Sequence, residues 1–126
     1  MAVTKTTTIA SLAGNLVVDF NANESEENNV TGNTSGTFYL VEIDNTANAN
    51  TLAYVKIRDA STAVPSHTSS GIPTWQFVAP KAGKITYVFP DGQDYAAGLS
   101  MWCVTSPAHQ NVSAPSAAVI VKIISS

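Results

Sequence analysis

Charge is what this chain has least of. Asp, Glu, Lys and Arg together make up 12% of its 126 residues, about half of the roughly 25% usual in a soluble domain. Arginine occurs once, as Arg58, and the net charge is −3. Six cations spread along the sequence build no basic patch, which argues against a nucleic-acid partner held through its phosphates. Cysteine also occurs once. Cys103 therefore has no intrachain disulfide partner and no companions for a cysteine zinc site. The two histidines, His67 and His109, supply half a metal site at most, so no cofactor and no metal are expected. No apolar run reaches signal-peptide or membrane-span length, and the expectation is a soluble chain with no cleaved leader and no membrane partner. Helical patterning is missing too: no window carries apolar residues at i, i+3, i+4 and i+7 over three turns.

What is present is a polar complement of Thr, Ser, Asn and Gln beside 44% apolar residues. Such a surface hydrogen-bonds without the desolvation penalty of ions. It suits a protein largely covered by neighbours, or one working outside cells. The length fits one domain, 1–126, with one sizeable core.

Short β-rich runs separated by turn residues recur along the whole sequence. They fall at 6–10, 15–20, 37–43, 52–58, 74–79, 84–89, 99–105 and 118–124. Several alternate with period two. In LAYVKIR, Ala53, Val55 and Ile57 share one side and Tyr54, Lys56 and Arg58 the other; Trp75 is in phase with Phe77, and Ile85 with Tyr87 and Phe89. One dry and one wet face per strand is the antiparallel pattern. The runs 37–43 and 99–104 are apolar on both sides, which predicts central strands or strands with a second buried contact. Eight strands without helices predict an all-β fold, a two-sheet antiparallel β-sandwich. Strand count favours a jelly roll over an immunoglobulin-like alternative, and no Cys…Trp…Cys spacing supports the latter. Residues 1–10, MAVTKTTTIA, read equally as a first strand or as an N-terminal arm.

The stretch FPDGQDYAAGLSMW, 89–102, holds Asp91, Asp94 and Trp102 just ahead of Cys103. Paired carboxylates perform glycosidic chemistry when they flank a substrate, and a short acidic loop can bind calcium. Here Pro-Asp-Gly reads as turn chemistry at a sandwich corner, and the EF-hand spacing is lacking. Cys103 in an apolar strand reads as a small hydrophobe rather than a nucleophile. No G-x-S-x-G, phosphate loop or dinucleotide fingerprint occurs. The Asn-x-Ser/Thr triplets at Asn23, Asn29, Asn33 and Asn111 read as chance matches in an Asn-rich chain.

Contact residues are sought elsewhere. Glu24, Glu26 and Glu27 form an acidic run, read as a solvated loop or as a contact for a partner's basic patch. Thr4, Lys5 and Thr7 lie on the β-prone N-terminal segment, which would extend a neighbour's sheet if it is an arm. Trp102 is out of phase with Leu99, Met101 and Cys103. It is therefore assigned to the opposite face, as an interface anchor. Trp75 is assigned to the core, with Trp75→Ala expected to cost about 3–5 kcal/mol.

Three stretches carry a resemblance: SGTFYLVEIDNTANANTLAYVKIRDA (35–60), GIPTWQFVAPKAGKITYVFPDGQDYAAGLSMWCVT (71–105) and AAVIVKI (117–123). With their D-N-T-A turn, Tyr-Val-Lys strand, Pro-x-Trp strand and F-P-x-G end, they resemble small β-sandwich virion structural proteins of tailed bacteriophages, including those of cyanobacteria. The likeness spans about two-thirds of the chain, and the first 34 residues lie outside it. It implies a β-sandwich part of the virion and transfers no catalytic or binding residue. Small size, no fibre-like repeat and no enzyme signature favour a capsid decoration or cement protein. Its partner would be the major capsid protein, its location the outer surface of the capsid, and its own state a homo-oligomer, with a trimer at symmetry axes as one form. The alternative is a tail or knob component that recognises host-surface carbohydrate by stacking Trp102, Tyr54 or Tyr95 on sugar. An enzyme is the weakest reading.

Overall fold

A computed structural model describes residues 3–7, 14–61, 72–108 and 113–126. The two histidines and the sequon at Asn111 lie outside these residues. The fold is all-β. Its strands are β1 (Val3–Thr7), β2 (Asn15–Ala22), β3 (Gly36–Asp44), β4 (Ala53–Asp59), β5 (Trp75–Ala79), β6 (Lys84–Tyr95), β7 (Leu99–Val104) and β8 (Val119–Ser125). They form two antiparallel sheets, one of five strands in the order β1-β2-β8-β3-β6 and one of three in the order β5-β4-β7.

A ninth extended stretch completes the smaller sheet. Residues 23–30 run along the free edge of β7: Glu27 and Met101 exchange both backbone hydrogen bonds (2.8 and 2.9 Å), Cys103 N–H donates to Asn23 O, and Val30 N–H donates to Leu99 O. The antiparallel partners then nest. β2 pairs with β8, 23–30 with β7, β3 with β6 and β4 with β5. The chain is thus one long double-stranded hairpin rolled into a sandwich, which is a jelly roll. β1 adds an outer strand, pairing Val3 with Asp19 through Thr7 with Asn15. The N-terminal segment is therefore a strand of its own sheet. It covers residues 3–7; residues 8–10 of the expected run 6–10 lie outside the described residues.

The core fills the space between the sheets. Val17, Phe38, Val41, Ile43, Val121 and Ile123 point in from the larger sheet, and Val55, Ile57, Leu99, Met101 and Cys103 from the smaller. Phe77, Tyr87, Phe89 and Phe38 stack edge to face or tilted along one side, and Trp75 meets Phe38 edge-on at 5.1 Å between ring centres. Trp75 packs against the core but is only half-buried, because β5 is an edge strand. The core assignment from its phase holds in part.

One end is tied by a buried amide knot. Asn45 Nδ2 donates to Thr51 O and Pro80 O, both at 2.9 Å. Asn48 Nδ2 donates to Asn45 Oδ1 and Ala117 O, while Asn48 Oδ1 accepts from Ala117 N–H and the Ser116 hydroxyl. Three turns far apart in sequence meet on two side chains. The D-N-T-A-N-A-N run exists for this: an amide alone offers two donors and an acceptor at once.

Pro90-Asp91-Gly92 is not a corner between strands. β6 continues through it to Tyr95. Phe38 faces Gln93 and Leu40 faces Val88, so Tyr39 alone stands against residues 89–92. This is a wide bulge in an edge strand, where a proline lacking N–H is tolerated. Gly92 holds φ at +80°, and a Cβ there would collide with Thr37 Cγ2. Turn chemistry was legible in these residues. Pairing on both sides of them with a single partner, β3, is what converts the turn into a bulge.

Candidate interaction surface

The two sheets differ in what covers their outer faces. On the smaller sheet the side expected to be wet is closed. Lys56 is fully buried, Trp102 is 1% exposed, and Ser100 and Val104 are buried beside them. Lys56 stands opposite Trp102 in the ladder, and its ammonium donates to Ala108 O in the segment after β7. Burial holds the Lys56 pKa below the usual lysine range, because the charged form loses its hydration. The Trp102 indole N–H is buried without an acceptor among the described residues.

Trp102 thus lies on the face that its phase requires, opposite Met101 and Cys103, but chain following β7 folds over that face. An anchor for a partner must be reachable, so the assignment of Trp102 to an interface is corrected. Tyr95 is also buried, sharing a 3.0 Å hydrogen bond with the Thr31 hydroxyl. Tyr54 is half-buried. The sugar-stacking residues of the alternative reading are therefore mostly inside.

The acidic run is not a solvated loop. Glu24, Glu26 and Glu27 are each half-buried on the stretch that seals β7. The Glu27 pKa is raised, chiefly by burial and then by the charge of Asp19. Asp19 is 1% exposed, inside the sandwich, and burial raises its pKa as well. On β1, Thr4 and Lys5 are exposed. The Lys5 ammonium donates to Thr31 O at 3.2 Å, tying the strand across the sheet edge. Thr7 is register partner of Asn15 at the end of β1.

Asp91 and Asp94 are exposed on β6, and Asp94 accepts a 2.7 Å hydrogen bond from the Thr37 hydroxyl. Cys103 sits in the other sheet, fully buried, with its thiol pKa pushed up to about 12 by burial. It is held as the neutral thiol, not the nucleophilic thiolate. No cluster of three or more metal-ligating side chains occurs among the described residues.

The outer face of the five-stranded sheet is different in kind. Leu16, Ile124, Leu40 and Val88 are successive register partners across β2, β8, β3 and β6. They form an apolar row directed away from the core. Val88 is 61% exposed. At the β3–β6 end the row opens into an apolar groove of about 380 Å³ lined by Tyr39, Leu40, Val88, Phe89, Pro90 and Ile124. Two irregularities meet at this groove: the bulge at 89–92 in β6, and in β3 the extra residue Tyr39 between Phe38, paired with Ser125, and Leu40, paired with Ile124, which brings Tyr39 and Leu40 to the same side. The next row is charged: Glu42 lies between Lys84 (3.7 Å) and Lys122 (3.8 Å). Beyond it Phe20 is 50% exposed. A contiguous apolar strip bordered by ion pairs has the make-up of a protein-binding surface.

None of these apolar positions was singled out as a contact residue in the sequence. The available signal was the apolar character of 37–43 on both sides, which predicted a central strand or a second buried contact; β3 is central, between β8 and β6. Which residues join into a row depends on register, and register is set by pairings between distant strands. Compared with known proteins, the chain matches no family model, no curated protein and no solved structure.

Proposed function

We propose that this protein is a structural component of a tailed-bacteriophage virion, a capsid decoration protein that docks on the assembled shell of major capsid protein. The contiguous apolar row Leu16–Ile124–Leu40–Val88 on the outer face of the larger sheet carries the reading. Sparse charge and the resemblance over 35–60, 71–105 and 117–123 support it.

The mechanism is linkage. A protein that binds the closed lattice and not its free subunits stabilises the lattice by mass action. Many copies on one particle add avidity to each weak contact. Polar and apolar complementarity do the work, so no bond is made or broken. Clamping across the joints between capsomers would oppose the outward pressure of packaged DNA.

Two measurements test this. Labelled antibody against the protein should decorate the shells of intact particles, and labelling confined to tails would overturn the reading. In co-sedimentation with empty shells, Leu40→Glu and Ile124→Glu should abolish binding while the circular dichroism of the sandwich is retained. Undiminished binding by both variants would remove the apolar row from the interface.

A further inference from the structure

Each sheet of an open sandwich has two edges, and this molecule closes or ties most of them. Residues 23–30 seal β7. Tyr87 donates its hydroxyl to Val78 O on β5, capping an acceptor of that edge. Lys5 ties β1 to the loop at Thr31. Among the described residues β1, β5 and β6 are the edges whose outer sides no strand pairs, and β6 is the longest of the three. Its guards, Pro90 and the bulge at 89–92, both lie in its second half, which leaves 84–88 as the open part of the edge. At its middle stands Val88, the most exposed of the large apolar side chains.

The charges of β6 are segregated. Lys84 stands at its start with Lys81 in the turn just before it, Asp91 and Asp94 stand toward its end, and 85–90 between them carries none. All four charged side chains are exposed. Such a strand is complementary to itself when reversed: antiparallel pairing of two copies sets the lysine end of one against the aspartate end of the other. A parallel arrangement would oppose like charges.

We propose that β6 pairs antiparallel with β6 of a second copy of this chain, about a two-fold axis near Val88. Two five-stranded sheets then join into one of ten strands. The contact is isologous and closed, so it makes dimers rather than filaments. Side chains opposite each other in an antiparallel pair lie on the same face. The row Leu16–Ile124–Leu40–Val88 therefore runs on across the axis into its copy, and the apolar strip doubles in length. Pro90 falls beyond the axis, where its missing N–H removes one ladder bond on each side. That keeps the pairing short. The dimer is a property of the isolated chain and does not depend on what the outer face docks on.

The experiment is cross-linking with charge exchange, performed on the full chain. Val88→Cys places two thiols across the axis while Cys103 stays buried, and mild oxidation should yield a covalent dimer. Phe20→Cys, exposed at the opposite side of the same face, is the control and should cross-link at least tenfold more slowly. Two further variants, Lys81→Asp with Lys84→Asp and Asp91→Lys with Asp94→Lys, should each sediment as monomers. Mixed in equal amounts they should form heterodimers, with loss of association at high salt. Equal cross-linking rates at positions 88 and 20, or no heterodimer on mixing two variants that retain wild-type circular dichroism, would overturn the pairing.

Discussion

Asp19 is an acid in the wrong medium. It stands on β2 among inward-facing residues, 1% exposed, and Oδ1 accepts a 3.0 Å hydrogen bond from Asn21 N–H. Burial raises its pKa above the usual carboxylate value. A group whose folded pKa is raised supports the fold only where it is protonated, and that support is lost as pH climbs through the folded value. Asp19→Asn keeps the acceptor and removes the charge. It should raise the melting temperature by a few degrees at pH 7, and the gain should vanish below about pH 3.8, the ordinary aspartate value. Melting curves at pH 3 and pH 7 check this. Cys103 follows the same sign at the other end of the scale. Its thiol pKa moves from 9.0 to about 12 on burial, so the unfolded chain loses that proton first. Stability should fall between pH 9 and pH 12 with a single-proton slope of about 1.4 kcal/mol per unit. Denaturant titrations of Cys103→Ala should lack that part of the slope.

At the scale of elements, the stretch 23–30 deserves the name of a strand by its contacts rather than its composition. NESEENNV holds three glutamates and three asparagines, which are poor strand formers. It pairs because β7 beside it is buried on both faces and cannot leave its edge amides without partners. Glu27→Pro removes the N–H that reaches Met101 O, leaving a buried acceptor unsatisfied at about 1–3 kcal/mol. Cys103, whose N–H donates to Asn23 O on the same stretch, should then react with a maleimide severalfold faster than in the wild type. Unchanged thiol reactivity would mean that the stretch is dispensable to β7. The bulge in β6 is the second decisive element. It brings Phe89 and Pro90 to the groove, while the extra residue Tyr39 in β3, unmatched against β8, gives Tyr39 and Leu40 a common side there.

The whole molecule is a nested hairpin, and its partners are far apart in the chain. Asn15 pairs with Ser125, so the larger sheet is closed only when both ends of the sequence are present. Topologies dominated by such pairings fold in milliseconds to seconds rather than microseconds. Position within the sheet sets the consequence of a deletion. β8 lies between β2 and β3, whereas β1 lies at an edge. Removing residues 119–126 should leave a chain with no cooperative thermal transition. Removing residues 1–7 should keep the transition and lower its midpoint modestly. Circular dichroism melts of the two truncations distinguish these outcomes, and a cooperative transition without β8 would refute the nested order.

The sequence by itself determined the all-β class, the existence of the strands from β2 to β8, their extents to within about two residues except for β6, which runs six residues past the expected 84–89, and the inward set on β4, β5 and β6. These follow from period-two alternation and turn residues, which are local. It also signalled the central place of 37–43 in its sheet and the burial of Cys103. Tertiary structure alone decided strand order, the conversion of Pro90-Asp91-Gly92 from corner to bulge, and the recruitment of an acidic, Asn-rich stretch as an edge strand. It also decided which of the two tryptophans is more deeply covered. The alternation placed Trp102 on the right face and Lys56 beside it, but whether a face meets water depends on which distant segment lies over it. Burial is a property of the assembled layers, and no window of neighbouring residues encodes it.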